Sequence, residues 1–257
     1  MSEERQPQSD AGSALIRVRG LTKRYPGGTQ ALADVDVDVR AGEFLAVIGP
    51  SGAGKSTFMR CLNGLVRPTA GSINYAGADL AAAHGSELRR ARRGIGMVFQ
   101  QFNLVRRLTV LQNVLIGRCG YQPFPRSLLP IFSQSDVALA LEALERVGIM
   151  EKAYERAGNL SGGQQQRVAI ARALAQQPGV MLADEPVASL DPETSITVLD
   201  DLRRINREQR ITTIVNLHQL DFARDYADRV IGFRRGRLVF DGLPSEVNRD
   251  IYERVYR

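Results

Sequence analysis

The chain has 257 residues, of which 44% are hydrophobic, and this is enough for a sizeable core. Its formal net charge of +6 is spread along the sequence, as is typical of a solvated surface. Cys61 and Cys119 have no spacing typical of a disulfide framework, and no apolar run approaches the roughly 18 residues that span a bilayer. These features exclude a domain held together by disulfides and a chain that spans a membrane. If the protein acts at a membrane, we expect it to do so through a partner protein.

Residues 1–13 are polar and predict a disordered tail rather than a signal peptide. Apolar or alternating runs then predict strands at residues 14–19, 34–39, 44–48, 71–75, 95–99, 180–183, 211–217, 230–233 and 237–241. The last two of these form a hairpin across Arg235 and Gly236. Helical spacing predicts helices at residues 58–63, 87–93, 108–116, 136–147, 168–175, 194–207 and 220–228.

Residues 34–39 alternate strictly between aspartate and valine, which predicts a half-buried strand of an antiparallel sheet. Elsewhere strands alternate with helices, on either side of a helix-rich insertion at about residues 101–175. We therefore predict an α/β fold with a mostly parallel core sheet, an antiparallel β flank and a helical subdomain. Three prolines at residues 121–130 predict a loop or broken helix with exposed apolar groups, a candidate contact surface.

A glycine-rich loop follows the strand at residues 44–48 and precedes a helix. It comprises Gly49, Pro50, Ser51, Gly52, Ala53, Gly54, Lys55, Ser56 and Thr57. Such a loop is typical of phosphate binding, because its backbone N–H groups turn toward an anion and the helix adds its positive dipole end. We expect all of these residues to bind a nucleotide, with Lys55 at the outer phosphates as a catalytic residue and Ser56 as a Mg²⁺ ligand. A structural strand-to-helix turn is the alternative.

Two adjacent acids, Asp184 and Glu185, end a fully apolar strand. Ligands of open α/β sheets bind beyond the carboxyl ends of the strands, so these acids should lie near the phosphate loop. We expect Asp184 to hold Mg²⁺, directly or through water, and Glu185 to polarise the attacking water as the general base. A strand-end turn before Pro186 is the alternative.

A third pattern, Leu160-Ser161-Gly162-Gly163-Gln164, precedes another helix and by itself would be a polar glycine turn that caps it. Together with the phosphate loop and the two acids, in this order, it resembles the ATP-binding subunits of ATP-binding cassette (ABC) transporters. The resemblance covers about residues 14–242 and implies an ABC-type P-loop NTPase domain at 14–245, followed by a helix or tail at 246–257. It also implies that the serine, both glycines and the glutamine complete the ATP site of a second copy, so the chain should form a homodimer.

The same resemblance implies further roles for single residues. Tyr25 stacks on adenine, and Gln100 senses both Mg²⁺ and the attacking water while linking to the membrane subunit. Ser189-Leu190-Asp191 is the loop that crosses the dimer interface, with Asp191 among the nucleotide-binding residues, and His218 is the switch histidine that contacts the γ-phosphate. Without the family, a lone tyrosine or histidine in such positions is more often a surface or structural residue. His84 matches no such role.

Segments 126–133, 183–192 and 217–223 resemble the phosphonate-import ATPases of bacteria. This implies an enzyme that hydrolyses ATP with Mg²⁺ to energise import through two transmembrane permease subunits. A periplasmic solute-binding protein would act through the permease. The chain would be peripheral on the cytoplasmic face of the inner membrane, without direct membrane insertion.

Several alternatives stay open at this stage. The importer could instead carry phosphate, an amino acid or a lipoprotein-system solute, or the chain could be a soluble cassette ATPase acting on nucleic acid or ribosomes. A single cassette and basic runs without interleaved aromatics disfavour nucleic acid, and the arginine-rich run at 89–93 is typical of a solvated helix face. A non-enzymatic nucleotide sensor is a third alternative, against which the intact Glu185 and His218 argue.

Overall fold

The computed structural model describes residues 14–121 and 131–257, in which we number ten strands and eight α-helices. The predicted tail at 1–13 and the proline-rich stretch at 122–130 lie outside these ranges. The strands are β1 Ala14–Arg24, β2 Gln30–Arg40, β3 Phe44–Ile48, β4 Ala70–Tyr75, β5 Ala78–Asp79, β6 Ile95–Val98, β7 Val180–Asp184, β8 Thr212–Asn216, β9 Arg229–Arg234 and β10 Arg237–Gly242. The helices are α1 Lys55–Leu62, α2 Gly85–Arg93, α3 Val110–Leu115, α4 Gln134–Arg146, α5 Gly162–Leu174, α6 Pro192–Gln209, α7 Leu220–Tyr226 and α8 Arg249–Tyr256.

The core sheet has the strand order β10-β9-β3-β8-β7-β6. Every neighbouring pair in it is parallel except β9 and β10, which form the predicted hairpin. Every residue of β3, β7 and β8 is buried, because helices and the second sheet cover both faces. The prediction of a mostly parallel core sheet is confirmed.

The second sheet is antiparallel and has the order β2-β1-β4-β5. Along β2 the valines are buried, whereas Asp34 and Asp36 are exposed. The alternation of aspartate and valine therefore predicted both the strand and its buried face correctly. Helix α1 packs between the two sheets, where Phe58 and Met59 join a core formed by residues of both. On the other face of the core sheet, α3 to α8 contribute to a second core.

The structure corrects several predicted element boundaries. Helices α5 and α6 begin earlier than predicted, because their first turns carry polar residues that hydrophobic spacing does not detect. The predicted helix at 108–116 is α-helical at Val110–Leu115 and continues as a 3₁₀ helix at Ile116–Tyr121. Strand β1 runs past its predicted end at residue 19, because Gly20, with a φ of +56°, lets the pairing with β2 resume after an irregularity. In the described ranges, no helix combines the length and the hydropathy needed to cross a bilayer.

Candidate active site

The glycine-rich loop links the end of β3 to the start of α1. Gly49, Gly52 and Gly54 have φ values of +143°, +76° and +107°, which favour glycine. A Cβ atom on Gly49 would lie 2.3 Å from the Phe233 carbonyl oxygen, and one on Gly54 would lie 2.4 Å from the Ala31 carbonyl oxygen. No side chain caps α1, so the N–H groups of its first turn are available to an anion. The loop thus has the backbone that a phosphate cradle needs.

The Lys55 side chain folds back over this loop. It is buried, and its ammonium donates hydrogen bonds to the Gly49 carbonyl at 2.7 Å and to the Pro50 carbonyl at 3.0 Å. Burial lowers the pKa of Lys55, while the negative charges of Glu185 and Asp184 act in the opposite direction. The loop therefore carries a cation whose hydrogen-bond partners are neutral carbonyls, an arrangement that suits an anionic ligand.

Asp184 lies at the end of β7, beside the first turn of α1. Its Oδ1 atom accepts hydrogen bonds from the Ser56 hydroxyl at 2.9 Å and from Asn216 Nδ2 at 2.8 Å. Asp184 is 4% exposed, and the Oδ1 atom of Asn216 is buried without a hydrogen-bond partner. The structure thus brings the two predicted Mg²⁺ ligands Ser56 and Asp184 together, as a set of oxygen donors that fits this hard cation.

Asn216 is a member of this group that the sequence analysis missed. It lies on β8, near the predicted switch histidine, and its side chain is fully buried. The sequence did contain a signal for Asn216, namely a polar amide at the end of a β-branched strand. An amide buried there needs hydrogen-bond partners, so a neighbouring polar group should have been expected.

Glu185 and His218 form the next pair along the same edge of the core sheet. His218 Nε2 lies 2.6 Å from Glu185 Oε1, and the two side chains are 39% and 15% exposed, respectively. Glu185 has a φ of +54°, an uncommon conformation for a non-glycine residue and one that is often found at functional sites. Both residues line a cavity of about 310 Å³, to which Leu190 and Phe222 also contribute. A carboxylate oriented by an imidazole beside a cavity can accept a proton from a bound water.

Residues 161–164 of the third sequence pattern, which we call the signature turn, form the start of α5. Ser161 caps this helix: its hydroxyl accepts a hydrogen bond from the Gln164 N–H at 3.4 Å, and Gln164 Oε1 accepts one from the Ser161 N–H at 3.0 Å. Gly162 packs against the segment before α6, and Gly163 packs against Thr194 in the first turn of that helix. A Cβ on Gly162 would lie 3.3 Å from Leu190 Cδ2.

Asp191 caps α6 and belongs to this second group. Its carboxylate accepts hydrogen bonds from the Thr194 N–H at 2.9 Å and from the Thr194 hydroxyl at 2.6 Å, and these bonds lower the pKa of Asp191. Thr194 in turn contacts the signature turn, because a Cβ on Gly163 would lie 2.2 Å from Thr194 Cγ2. The predicted interface residues are therefore packed together.

The residues around the phosphate loop and the residues of the turn that starts α5 form two groups, which are separate within the chain. Among the described residues, no hydrogen bond or ion pair joins residues 161–164 to residues 49–57.

Gln100 is exposed after β6 and does not bond to the Asp184 group. Tyr25 is half-buried in the turn after β1, with the Lys23 ammonium 5.1 Å from its ring centroid. The roles expected of Tyr25 and Gln100 stay predictions.

Comparisons with known proteins relate this arrangement to a family. The profile of the ABC transporter family matches residues 32–188. The phosphonates import ATP-binding protein PhnC of Shouchella clausii is 54% identical over 242 residues, which cover 94% of this chain and 91% of that protein. The protein of the same name from Bacillus thuringiensis is 53% identical, with 94% of each chain covered. Among solved structures, the ATP-binding cassette MJ0796, in a dimeric post-hydrolysis state bound to ADP and Pi, is 34% identical with a TM-score of 0.78, and the match covers 89% of this chain and 98% of that one.

The close contact between Gly163 and Thr194 generates a testable prediction. Alanine normally stabilises a helix by up to about 1 kcal/mol relative to glycine. Here Gly163→Ala should instead lower the free energy of unfolding by about 1 to 3 kcal/mol, because the new methyl group would overlap Thr194 Cγ2. Chemical denaturation of the purified protein measures this difference.

Thr194→Ser supplies the matched control, because it removes Cγ2 and keeps the hydroxyl that bonds to Asp191. By itself it should change stability little. In that background Gly163→Ala should become neutral or stabilising. If Gly163→Ala is equally harmful in both backgrounds, the contact with Thr194 is not its cause.

Proposed function

The chain belongs to the ABC transporter family, as the sequence resemblance predicted, and we propose that it hydrolyses ATP to drive phosphonate import through a membrane permease. The observation that carries this proposal is the convergence of Ser56, Asp184, Glu185 and His218 beside a phosphate loop. Identity of 53–54% with phosphonate-import ATPases over 94% of the chain favours phosphonate over the other solutes. The proposed nucleotide-binding domain spans residues 14–245, with its helical subdomain at about 101–175.

Residues 49–57 would hold the phosphates of ATP, and Tyr25 would stack on its adenine. The uncapped first turn of α1 offers N–H donors, and the buried Lys55 adds a positive charge. Donors that are already oriented stabilise the charge that develops on the transferred phosphoryl group without having to reorganise. This supports a catalytic as well as a binding role for the loop.

Ser56 and Asp184 would hold Mg²⁺, with Gln100 as a third contributor. Their hydroxyl, carboxylate and amide oxygens are the donors that this ion prefers, alongside water and substrate phosphates. When bound, Mg²⁺ would neutralise charge between the β- and γ-phosphates. Asn216 would keep the Asp184 carboxylate oriented through its hydrogen bond of 2.8 Å.

Glu185 would act as the general base, accepting a proton from the water that attacks the γ-phosphate. His218, in contact with Glu185 at 2.6 Å, would fix the orientation of that carboxylate and reach the γ-phosphate. The cavity that both residues line would accommodate this water beside the carboxylate.

A second copy of the chain would complete each site. The exposed Ser161, with Gly162, Gly163 and Gln164, would close over the nucleotide of the partner, and Asp191 would lie at the interface between them. Two observations support this: residues 161–164 do not bond to the phosphate loop of their own chain, and the related cassette MJ0796 has a dimeric structure. ATP would favour the closed dimer because it contacts both chains there.

The membrane partners would bind on the side of Gln100. A groove of about 320 Å³ is lined by Phe99, which precedes Gln100 in the chain, by the exposed Leu65 and Ile116, and by polar residues that include Arg92 and Arg172. Apolar side chains around a groove suit a helix of a permease subunit. Two such permease subunits, served by a periplasmic solute-binding protein, would hold the chain peripherally at the cytoplasmic face of the inner membrane.

The proposed solute can be tested by uptake in the bacterium that carries this chain. A strain without the chain should lose uptake of radiolabelled methylphosphonate, and the wild-type chain should restore it. Uptake of phosphate and of amino acids should stay within about twofold of the parent strain, since the proposed importer does not carry them. If phosphonate uptake is unaffected and either of the other solutes is lost, the assignment of the solute is wrong.

The role of Glu185 is tested by Glu185→Gln, which keeps the shape of the side chain and removes its basicity. We expect MgATP binding to persist and turnover to fall by at least about a hundredfold, as is typical of a lost general base. A closed dimer should then accumulate on size-exclusion chromatography in the presence of MgATP. Glu208→Gln, on the exposed surface of α6, is the control and should turn over like the wild type. Normal hydrolysis by Glu185→Gln would contradict the general-base assignment.

The shared site is tested by adding Ser161→Arg to the Glu185→Gln protein. The bulky cation should prevent closure over the partner's nucleotide, so the MgATP-dependent dimer should disappear. ATP binding, measured by equilibrium dialysis, should persist, because the phosphate loop is unchanged. Ser86→Arg introduces the same side chain on the exposed surface of a different helix, α2, and should leave the dimer intact. A stable dimer in the Ser161→Arg protein would rule out the shared site.

A further inference from the structure

Helix α8 is fixed to the core sheet at a point close to the proposed catalytic residues. Val255 is fully buried, and a Cβ on Gly232 of β9 would lie 2.7 Å from Val255 Cγ2, so the helix lies directly on this strand. Arg234 Nη1 also donates a hydrogen bond of 3.1 Å to the Arg254 carbonyl. Strand β9 is the neighbour of β3, which leads into the phosphate loop. The last turn of α8 therefore has a defined position relative to that loop.

Tyr256 extends from this last turn to the carboxyl edge of the sheet. Its hydroxyl donates a hydrogen bond to the backbone carbonyl of His218, which at 3.5 Å is long. Burial raises the pKa of Tyr256, and the backbone N–H of Gly49 acts in the opposite direction. The hydroxyl thus lies near the first residue of the phosphate loop and the proposed switch histidine, which follow the adjacent parallel strands β3 and β8.

We propose that Tyr256 is a positioning residue, whose hydroxyl holds the His218 backbone in register with the phosphate loop. This inference rests on the ATPase activity proposed above. His218 lies beyond the end of β8, where sheet hydrogen bonds no longer restrain its backbone, and its side chain is 39% exposed. A hydrogen bond to its carbonyl oxygen limits how the imidazole can move relative to Glu185 and the phosphate loop. Tyr256 itself would not touch the reacting atoms.

The experiment compares Tyr256→Phe with Tyr252→Phe. The two tyrosines lie on the same helix, and their rings stack with centroids 4.8 Å apart. Tyr252 is 41% exposed, and its hydroxyl is bonded to no other described residue, so it is a matched control for the loss of a phenol oxygen. The MgATPase activity of the purified protein is measured for both variants and for the wild type, with thermal melting of each.

Tyr256→Phe should lower kcat by about two- to fivefold, the lower part of the range expected for the loss of one hydrogen bond, because this bond is long. The KM for MgATP should stay within about twofold, because the N–H groups of α1 and the Lys55 ammonium do not contact Tyr256. Tyr252→Phe should keep the wild-type kcat. A role limited to stability would lower the melting temperature of Tyr256→Phe and leave kcat unchanged, and that result would overturn the proposal.

A double-mutant cycle tests whether Tyr256 acts through His218. In the His218→Ala background, measured by single-turnover hydrolysis, Tyr256→Phe should cause no further loss of rate. A further loss as large as in the wild-type background would contradict the proposal. A wild-type protein without any MgATP turnover would instead contradict the proposed function and, with it, this inference. Turnover that Tyr256→Phe leaves unchanged would contradict the inference alone.

Discussion

One carboxylate oxygen connects the parts of the candidate site. Asp184 Oδ1, at the end of β7, accepts hydrogen bonds from Ser56 on α1 and from Asn216 on β8. Buried polar groups are costly unless they are paired, so these bonds set the position of each of the three elements relative to the others. Glu185 follows this carboxylate in the chain, and His218 lies just beyond Asn216. The contact between Glu185 and His218 therefore depends on the same register of parallel strands.

Close packing against the backbones of β9 and β2 also fixes the position of the phosphate loop. Gly49 lies against the Phe233 carbonyl of β9, and Gly54 lies against the Ala31 carbonyl of β2. A larger residue at either position would have to displace the backbone of β9 or of β2. The hydrogen bond from the Gly236 N–H to the Ala53 carbonyl also holds the loop in place. The loop thus lies between both sheets, and its N–H groups are oriented before any ligand arrives. Such preorganisation is what electrostatic stabilisation of a transition state requires.

Much of the fold was predictable from local patterns in the sequence. The apolar runs of the core strands, the aspartate-valine alternation of β2 and the Arg235-Gly236 hairpin are all present as predicted. Features that depend on contacts distant in sequence were not predictable. The 3₁₀ continuation of α3 places Gly117 so that a Cβ there would lie 2.3 Å from the Arg172 carbonyl of α5, and no local pattern reports such a contact. The places of Asn216 and Tyr256 beside the site likewise depend on strand order and on the docking of α8.

The phosphate loop and the signature turn each precede a helix, α1 and α5 respectively. The two helices differ in whether a side chain caps their first N–H groups. Helix α1 has no side-chain cap, so its N–H groups are free to bind phosphate strongly. Helix α5 is capped by its own Ser161, through a hydroxyl contact of 3.4 Å with the Gln164 N–H, which is long for a hydrogen bond. The α5 turn can therefore exchange a weak internal bond for a phosphate oxygen at low cost. In the proposed dimer, nucleotide would bind first at the phosphate loop of one chain. Closure by the partner's signature turn would follow, because the bound nucleotide supplies the negative charge that this turn lacks when alone.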